Sequence, residues 1–262
     1  MQLDGCSALI TGASAGLGRE FARQLAPRAK CLVLVARRND RLEEVREELL
    51  AAQPQLDVKV RVLDLAKTEE VDALPVWLGE QGIVIDLLIN NAGVGDHGTF
   101  ATSAIDRVTA MLAVNITALT SLTHALLPPM IAQRRGAVLN VSSSASFLPL
   151  PRLGVYAATK AYVSSFSEAL RMEVRGTGVS VTALCPGPVH TEFESVAARA
   201  DGTRELAPEF TYVTPEQVVR EALTAVERDN PMVIPGFAMK VAMTLVRLTP
   251  MPVLRLAARL AR

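Results

Sequence analysis

Short apolar runs alternate with amphipathic segments along most of the chain. Several of these runs are apolar throughout, which is typical of strands that are covered on both faces of a sheet. The runs predict strands at 7–11, 31–36, 58–63, 87–90, 137–142, 180–184 and 232–234. Because helical segments separate them, we expect parallel pairing with right-handed crossovers. The sequence therefore predicts an α/β fold, a doubly wound, Rossmann-type sheet of about seven parallel strands with helices on both faces.

The composition narrows the class of protein. Half of the 262 residues are apolar, which is enough for a large core. Lysine plus arginine and aspartate plus glutamate number 27 each, and this zero net charge argues against a nucleic-acid partner. The three cysteines are far apart, so we expect no metal site and a reducing, cytoplasmic environment. We find no secretory signal and expect no ordinary membrane-spanning helix.

A glycine-rich turn follows the first predicted strand. The segment Thr11-Gly12-Ala13-Ser14-Ala15-Gly16-Leu17-Gly18 leads directly into a helix. In open parallel sheets this turn is the usual phosphate site, with the helix N-terminus supplying N–H donors. Gly12 permits a tight turn, Gly16 a close approach to a pyrophosphate, and Gly18 close packing of the helix. The spacing is not G-x-G-x-x-G, so an ordinary glycine-rich loop is the alternative, and the lack of G-K-[ST] excludes a P-loop NTPase.

Two arginines end the second predicted strand, where a dinucleotide's adenosine ribose normally lies. An acid there would bind a 2′-hydroxyl, whereas arginine accommodates a 2′-phosphate. Arg37 and Arg38 stand in this place, and we expect Asp40 to cap the following helix. This pattern favours NADP(H) over NAD(H), and the alternative is a solvated strand end. Asp64, after the third strand, either accepts from the adenine amino group or caps a turn.

Tyr156 and Lys160 lie four residues apart in a predicted helix and therefore share one face. The pKa of a free tyrosine is about 10, and a nearby ammonium lowers it, so Lys160 would tune Tyr156 for acid/base work. Ser143, at the end of a strand, can donate to a substrate oxygen. A Tyr-x-x-x-Lys pair alone is usually a surface contact. The phosphate turn and the upstream serine make a catalytic role the better interpretation.

The order of these motifs resembles a known family. Asn90-Asn91-Ala92-Gly93 and Asn115 stand between the glycine turn and the catalytic pair, and Pro186-Gly187 follows the pair. Over about residues 5–236 the chain resembles a single-domain short-chain dehydrogenase/reductase of the NADP-preferring type. Within the family it is similar to small bacterial carbonyl reductases and to the hydroxysteroid dehydrogenase-like branch.

The resemblance implies a role for each matched residue. Tyr156 is the general acid/base, Ser143 polarises the substrate carbonyl, and Lys160 lowers the pKa of Tyr156 and holds the nicotinamide ribose. Asn115 anchors a water that relays protons from Lys160 to solvent. Beyond the glycines and arginines already named, and Asp64, the implied cofactor contacts come from Ser14, Leu17, Asn90, Ala92, Gly93, Pro186, Gly187, Val189 and Thr191.

We therefore predict an NADPH-dependent carbonyl reductase, reversible as an alcohol dehydrogenase. We expect a substrate loop at about 188–210 to close the pocket, with an apolar opposite rim made of Phe147, Leu148, Leu150 and Leu153. An apolar rim favours a lipophilic ketone or aldehyde. A 3-oxoacyl thioester is the alternative substrate, and a catalytically silent NADP-binding sensor is the alternative of a different class. The family resemblance also implies a homodimer or homotetramer.

Residues 237–262 form an apolar, cationic extension beyond the catalytic domain at 1–236. From residue 231 onward there are five cations and no acids, so the first 230 residues carry a net charge of −5. We predict two short helices, 237–248 and 253–262, each with one narrow polar stripe. The stripes consist of Lys240, Thr244 and Arg247, and of Arg255, Arg259 and Arg262. Such helices must bury apolar area over the substrate pocket, against a second subunit, or at an anionic membrane surface.

Overall fold

The chain forms one seven-stranded parallel sheet, in the order β3-β2-β1-β4-β5-β6-β7. The computed structural model describes residues 1–197 and 211–260, without the side chains of 194–196 and 256–260. The strands are β1 (Ser7–Thr11), β2 (Cys31–Ala36), β3 (Asp57–Val62), β4 (Leu87–Asn90), β5 (Gly136–Val141), β6 (Val179–Leu184) and β7 (Met232–Val233). The predicted fold class is confirmed, and the strand bounds that differ from the prediction differ by one residue.

Helices cover both faces of the sheet. Those in the described residues are α1 (Gly16–Leu25), α2 (Asn39–Ala52), α3 (Thr68–Glu80), α4 (Ile105–Leu112), α5 (Leu119–Ala132), α6 (Gly154–Glu173), α7 (Glu192–Ala197), α8 (Pro215–Glu227), α9 (Phe237–Leu248) and α10 (Met251–Leu260). One core lies under α1, α2 and α8, and includes Phe21, Leu42 and Val218. The other lies under α3, α5 and α6. The two layers explain why the central strands are apolar throughout.

Two helix starts illustrate what sequence signals can specify. At the start of α8, the Thr214 hydroxyl accepts from the Gln217 backbone N–H, and Pro215 occupies the first turn, as these residue types favour. The prediction that Asp40 caps α2 is wrong, because α2 begins at Asn39, one residue before Asp40, and Arg38 occupies the N-cap position. Asp40 instead lies in the first turn, where a carboxylate interacts favourably with the positive end of the helix.

One long helix passes a simple test for membrane spanning, contrary to our expectation. α4 and α5 are continuous through a π-helical turn at Ala113–Ala118, and the resulting 28-residue helix contains a window of mean hydropathy 1.5. However, 39% of that window is buried, and the helix packs against α3, α6 and β5. Core helices of soluble proteins pass the same test. The hydropathy of this helix is therefore only weak evidence that it spans a membrane.

Of the two predicted C-terminal helices, α9 has the predicted bounds and α10 begins earlier than predicted. α10 begins at Met251 rather than at residue 253, which places Pro252 in its first turn, where proline is tolerated. α9 packs through Met239 and Met243 on Cys185 and Ile234, at the end of the sheet. Of the predicted second stripe, Arg255 is described and exposed, the side chain of Arg259 is not described, and Arg262 lies outside the described residues.

Candidate active site

The glycine turn lies where the strand order reverses, between β1 and β4. Gly12 has a φ of +67°, and a Cβ there would lie 2.9 Å from the Ala92 Cα. A Cβ on Gly18 would lie only 2.2 Å from the Gly12 carbonyl oxygen. The turn is thus pressed against the loop after β4 with no room for side chains. This is the backbone cradle that a pyrophosphate needs at a topological switch point.

Two polar residues hold this cradle in place, and the sequence analysis assigned no role to either. The Thr11 hydroxyl accepts from the backbone N–H groups of Asn91 and Ala92, each at 3.0 Å. The Asn91 amide donates to the Thr11 carbonyl at 2.8 Å. These bonds join the glycine turn to the end of β4. The sequence signal for this contact was Thr11 at the end of one strand and Asn91 just after another. A doubly wound sheet can place two such strand ends side by side.

The end of β2 presents cations and a hydroxyl beside the turn. The Arg38 guanidinium donates to Glu192 at 3.2 and 3.3 Å and to the Ser14 hydroxyl at 3.4 Å, and Arg37 is exposed. This donor set suits a phosphate, although Glu192 competes for the same guanidinium. The Asp64 carboxylate accepts from the Ala66 N–H at 3.0 Å, which is the turn-capping alternative. Its contact with adenine stays a prediction.

The residues after β6 close the other side of the cleft. Thr191 lies across from the glycine turn, 3.4 Å from where a Cβ of Gly16 would lie. Val189 is buried, and the open side of Gly187 is filled by the Met239 side chain of α9. Residues predicted to hold the two ends of a dinucleotide therefore face one cleft. Together with the glycine cradle and the arginine pair, this arrangement fits a nicotinamide dinucleotide.

The predicted catalytic side chains come together above β5. The Ser143 hydroxyl lies close enough to the Tyr156 phenol to affect its pKa. The Lys160 Nζ lies 5.8 Å from the centroid of the Tyr156 ring and donates to the Val141 carbonyl oxygen at 2.8 Å. The spacing of four residues on α6 and the position of Ser143 at the end of β5 account for this meeting. The structure thus unites all three residues in one group.

The pKa values within this group differ from expectation. Desolvation raises the pKa of Tyr156 to about 12, and Ser143 opposes that rise. Burial lowers the pKa of Lys160 from 10.5 to about 8. Lys160 is not among the groups that shift the phenol's pKa here, so its lowering of that pKa stays a prediction. The ammonium bonds to a strand carbonyl, while burial penalises the phenolate.

Asn115 lies in the π-helical turn and clamps the loop after β4. Its Oδ1 accepts from the Val94 N–H at 2.9 Å, while its Nδ2 donates to the Val94 carbonyl and the Thr159 hydroxyl, both at 3.0 Å. A Cβ on Gly93 would lie 3.3 Å from the Lys160 Nζ, so glycine leaves space for the amine. Asn115 thus positions the loop beside Lys160. Its role in a proton relay stays a prediction.

Asn90 is engaged inside the protein. Its Nδ2 donates to the Thr123 hydroxyl at 2.9 Å and to the Asn140 Oδ1 at 2.8 Å, and all three residues are buried. These bonds tie β4 to β5 and to α5. The Asn90 side chain therefore stabilises the strand that borders the cleft. Its amide nitrogen does not reach into the cleft.

Helix α7 packs against Tyr156 through Phe193. The Phe193 ring lies 5.5 Å from the Tyr156 ring, centroid to centroid, and packs where a side chain on Gly95 would collide with it. The sequence analysis did not single out Phe193. Residues 198–210 of the predicted substrate loop lie outside the described residues. Phe193 therefore stands at the place where a substrate would approach the phenol.

The predicted apolar rim lies elsewhere. Phe147, Leu148 and Leu150 line an apolar cavity of about 480 Å³ together with Ala161 and Met251. At 100° per residue, Ala161 and its neighbours in that cavity lie on a different face of α6 from Tyr156. In this structure these three rim residues therefore line a cavity that does not include the catalytic tyrosine, and Leu153 is not among its lining residues.

Comparison with known proteins agrees with this geometry. A family model described as short chain dehydrogenase matches residues 7–201. Sulfoacetaldehyde reductase of Chromohalobacter salexigens is 41% identical over 195 residues, covering 73% of this chain and 76% of that protein. A very-long-chain 3-oxoacyl-CoA reductase of Anas platyrhynchos is 31% identical over 226 residues, covering 85% of this chain and 69% of that protein.

Solved structures share the whole fold. A short-chain dehydrogenase from Sphingobium yanoikuyae in complex with NADPH matches with a TM-score of 0.81 and 31% identity, covering 93% of this chain and 94% of that one. One from Burkholderia phymatum in complex with NAD matches with a TM-score of 0.81 and 26% identity, covering 94% of both chains. The chain belongs to the short-chain dehydrogenase/reductase family of nicotinamide-dependent oxidoreductases.

Proposed function

We propose that this protein is an NADPH-dependent reductase of carbonyl compounds, reversible as an alcohol dehydrogenase. The observation that carries the proposal is the grouping of three side chains, with Ser143 beside the Tyr156 phenol and the buried Lys160 beside its ring. A catalytically silent sensor would need the dinucleotide cleft but not this group. The two curated relatives described above are both named as reductases of carbonyl compounds, which supports the same reaction class.

The chain's own residues divide the work of reduction between them. Bound NADPH supplies a hydride for the carbonyl carbon. Tyr156 donates a proton to the carbonyl oxygen, and its pKa of about 12 keeps the phenol protonated at neutral pH, as a general acid requires. The Ser143 hydroxyl donates to the same oxygen as negative charge develops there. Lys160 and Asn115 line the route by which Tyr156 regains its proton.

The residues that would hold the cofactor follow from the same cleft. The backbone of the turn at Gly12, Gly16, Leu17 and Gly18 would bind the pyrophosphate. Arg37, Arg38 and the Ser14 hydroxyl would bind the 2′-phosphate, since a bidentate guanidinium matches a phosphate well. Ala92 and Gly93 would lie along the central part, with Pro186, Gly187, Val189 and Thr191 at the nicotinamide. The NADPH complex of the Sphingobium relative supports the preference for NADP(H).

Arg37→Asp should lower the preference for NADPH over NADH, measured as a ratio of kcat/KM values, by about tenfold or more. The change removes a charge-assisted contact and adds repulsion toward the phosphate. Arg46→Asp is the matched control, because Arg46 is an exposed arginine of α2 that pairs only with Glu43 among the described residues. A wild-type protein that prefers NADH would contradict the assignment of this strand end.

The substrate we propose is a lipophilic ketone or aldehyde, with a 3-oxoacyl thioester as the second candidate. The aromatic ring of Phe193 above Tyr156 would contact the carbonyl's substituents and favour apolar ones. The 3-oxoacyl-CoA reductase relative supports the thioester. The sulfoacetaldehyde reductase relative supports a small, charged aldehyde instead. Lipophilic and charged substrates therefore need a direct comparison.

NADPH oxidation against a panel of carbonyl compounds tests the proposed function. The panel contains a bulky aliphatic ketone, a long-chain aldehyde, a 3-oxoacyl thioester and sulfoacetaldehyde. We expect kcat/KM for the best lipophilic substrate to exceed that for sulfoacetaldehyde by about tenfold or more, because apolar contacts discriminate by that order. Preference for sulfoacetaldehyde would overturn the substrate class. NADPH binding without turnover of any compound would identify a sensor.

We also propose a cytoplasmic homodimer or homotetramer. Large apolar side chains are exposed on α4 and α6, among them Ile105, Leu112 and Met172. A second copy that packed on these two helices would cover them.

A further inference from the structure

Helix α9 buries one face and leaves a second apolar face uncovered. Met239 is buried and Met243 is partly buried against the end of the sheet. On the outer side, four large apolar residues are exposed, and we call them the α9 stripe. The α9 stripe consists of Phe237, 84% exposed, Val241, 43%, Leu245, 61%, and Leu248, 77%. At 100° per residue these four side chains fall within an arc of about 80° on the helix.

Cations line one edge of the α9 stripe. Lys240 and Arg247 are exposed and lie on the side of α9 next to the stripe, with Thr244 between them. The Arg247 guanidinium also lies 5.5 Å from the centroid of the Phe147 ring, which holds it at the surface. The sequence from residue 231 to residue 262 contains no acid. An exposed apolar stripe beside cations that form no ion pair with the residues the structure describes suits an anionic, apolar partner.

The apolar surface continues beyond α9. Met251, 41% exposed, and Val253, 53% exposed, follow at the start of α10, with the exposed Arg255 close behind. Met251 also lines the apolar cavity of about 480 Å³ beside α6. The exposed surface thus runs over two helices that meet at Pro250, with cations on both.

The charges distinguish the candidate partners. Two copies of the chain pairing symmetrically through the α9 stripe would bring Lys240 and Arg247 of each copy to the same interface. No acid of either tail could neutralise them there, so like charges would be desolvated together. A bilayer with anionic headgroups takes up the apolar stripe and pairs with the cations at the same depth. The charge pattern therefore favours a lipid surface over a second copy.

We propose that the α9 stripe and the start of α10 bind the surface of anionic phospholipid bilayers, with α9 lying in the interfacial plane. The inference is independent of the proposed catalytic function, since it uses only the outer face of α9 and the start of α10. The inner face of the same helix contacts Gly187 through Met239, at the nicotinamide end of the cleft. Binding would therefore bring the cleft close to a lipid surface, from which an apolar substrate can enter.

Vesicle flotation of the full chain tests this proposal. We expect the protein to float with vesicles of phosphatidylcholine containing about 30% phosphatidylserine, and to float far less with phosphatidylcholine alone or in about 0.5 M salt. Leu245→Gln with Leu248→Gln should lower the partition coefficient by about tenfold or more, since both side chains are exposed and their loss leaves the fold intact. Lys240→Glu should lower it on anionic vesicles only.

Matched controls make each outcome decisive. Val76→Gln with Val84→Gln removes two exposed apolar side chains elsewhere, outside the proposed subunit interface, and should float like the wild type. Flotation that is absent, or equal for neutral and anionic vesicles, would overturn the proposal. A change of oligomeric state by light scattering in the Leu245/Leu248 variant would also overturn it, because a second copy would then cover the stripe. The rate of carbonyl reduction, measured separately in the absence of lipid, tests the proposed function and does not depend on membrane binding.

Discussion

Tyr156→Phe should lower kcat/KM for carbonyl reduction by about a hundredfold to ten-thousandfold, the range that a general acid contributes. The substitution removes only the hydroxyl beside Ser143, and it keeps the ring that packs against Phe193. NADPH affinity, measured by fluorescence titration, should change little, because the glycine cradle and the arginines are untouched. The loss should therefore fall on kcat and not on cofactor binding.

Tyr162→Phe is the matched control for this experiment. Tyr162 lies on the same helix, is 37% exposed, and bonds through its hydroxyl to the Thr120 hydroxyl at 3.0 Å. Its loss of a hydroxyl should leave turnover near the wild-type rate. If Tyr156→Phe retained activity within about threefold of wild type, Tyr156 would not be the proton donor and the reaction assignment would fall.

The raised pKa of Tyr156 also predicts the direction of the reaction's pH dependence. A phenol with a pKa of about 12 is protonated at neutral pH and can act as an acid at once. To act as a base in alcohol oxidation, it must first lose its proton, which becomes easier as the pH rises. In the protein alone, the residues thus favour reduction near neutrality and oxidation at alkaline pH.

The sheet was predictable because its signals are local. Each strand is a short apolar run, and the helical segments between the runs imply parallel pairing with right-handed crossovers. The meeting of Tyr156, Lys160 and Ser143 was predictable for a related reason. Two of them share a helical face, and the third ends a neighbouring strand, so periodicity and topology together fix their proximity.

Contacts between distant segments were not predictable in the same way. Nothing local assigns Phe193 to the Tyr156 ring, because α7 reaches it through tertiary packing alone. The pKa of Lys160 depends on its burial and on the orientation of its amine toward the Val141 carbonyl, and neither can be derived from spacing. The error over the apolar rim has the same origin, since Phe147 turned out to line a cavity on another face of α6.

Lys160→Met should stabilise the folded protein at pH 7 while lowering kcat/KM by about a hundredfold or more. Burial lowers the pKa of Lys160 from 10.5 to about 8, so at pH 7 the folded state carries a disfavoured charge. That shift corresponds to a penalty of about 3 kcal/mol. The bond from the charged amine to the Val141 carbonyl offsets about 2 kcal/mol of it, so we expect a gain of about 1 kcal/mol in the free energy of unfolding.

The pH dependence of that gain tests its cause. Between the folded pKa of about 8 and the unfolded value of 10.5, the unfolded state binds more protons at this site, so the wild type gains stability as the pH rises. The advantage of Lys160→Met is therefore full below about pH 8 and is lost through this window. Urea unfolding of both proteins at pH 7 and near pH 10 measures the difference between their free energies of unfolding. The contributions of the other titrating groups cancel in that difference.

Lys67→Met is the control for loss of a lysine as such, because Lys67 is exposed and pairs with Glu70. It should change the stability little, since surface ion pairs contribute about 0–1 kcal/mol. A Lys160 variant that is less stable than wild type at both pH values would show that the Val141 bond outweighs the buried charge. A variant that is more stable and inactive would show that the fold tolerates a costly buried ammonium because the reaction requires it.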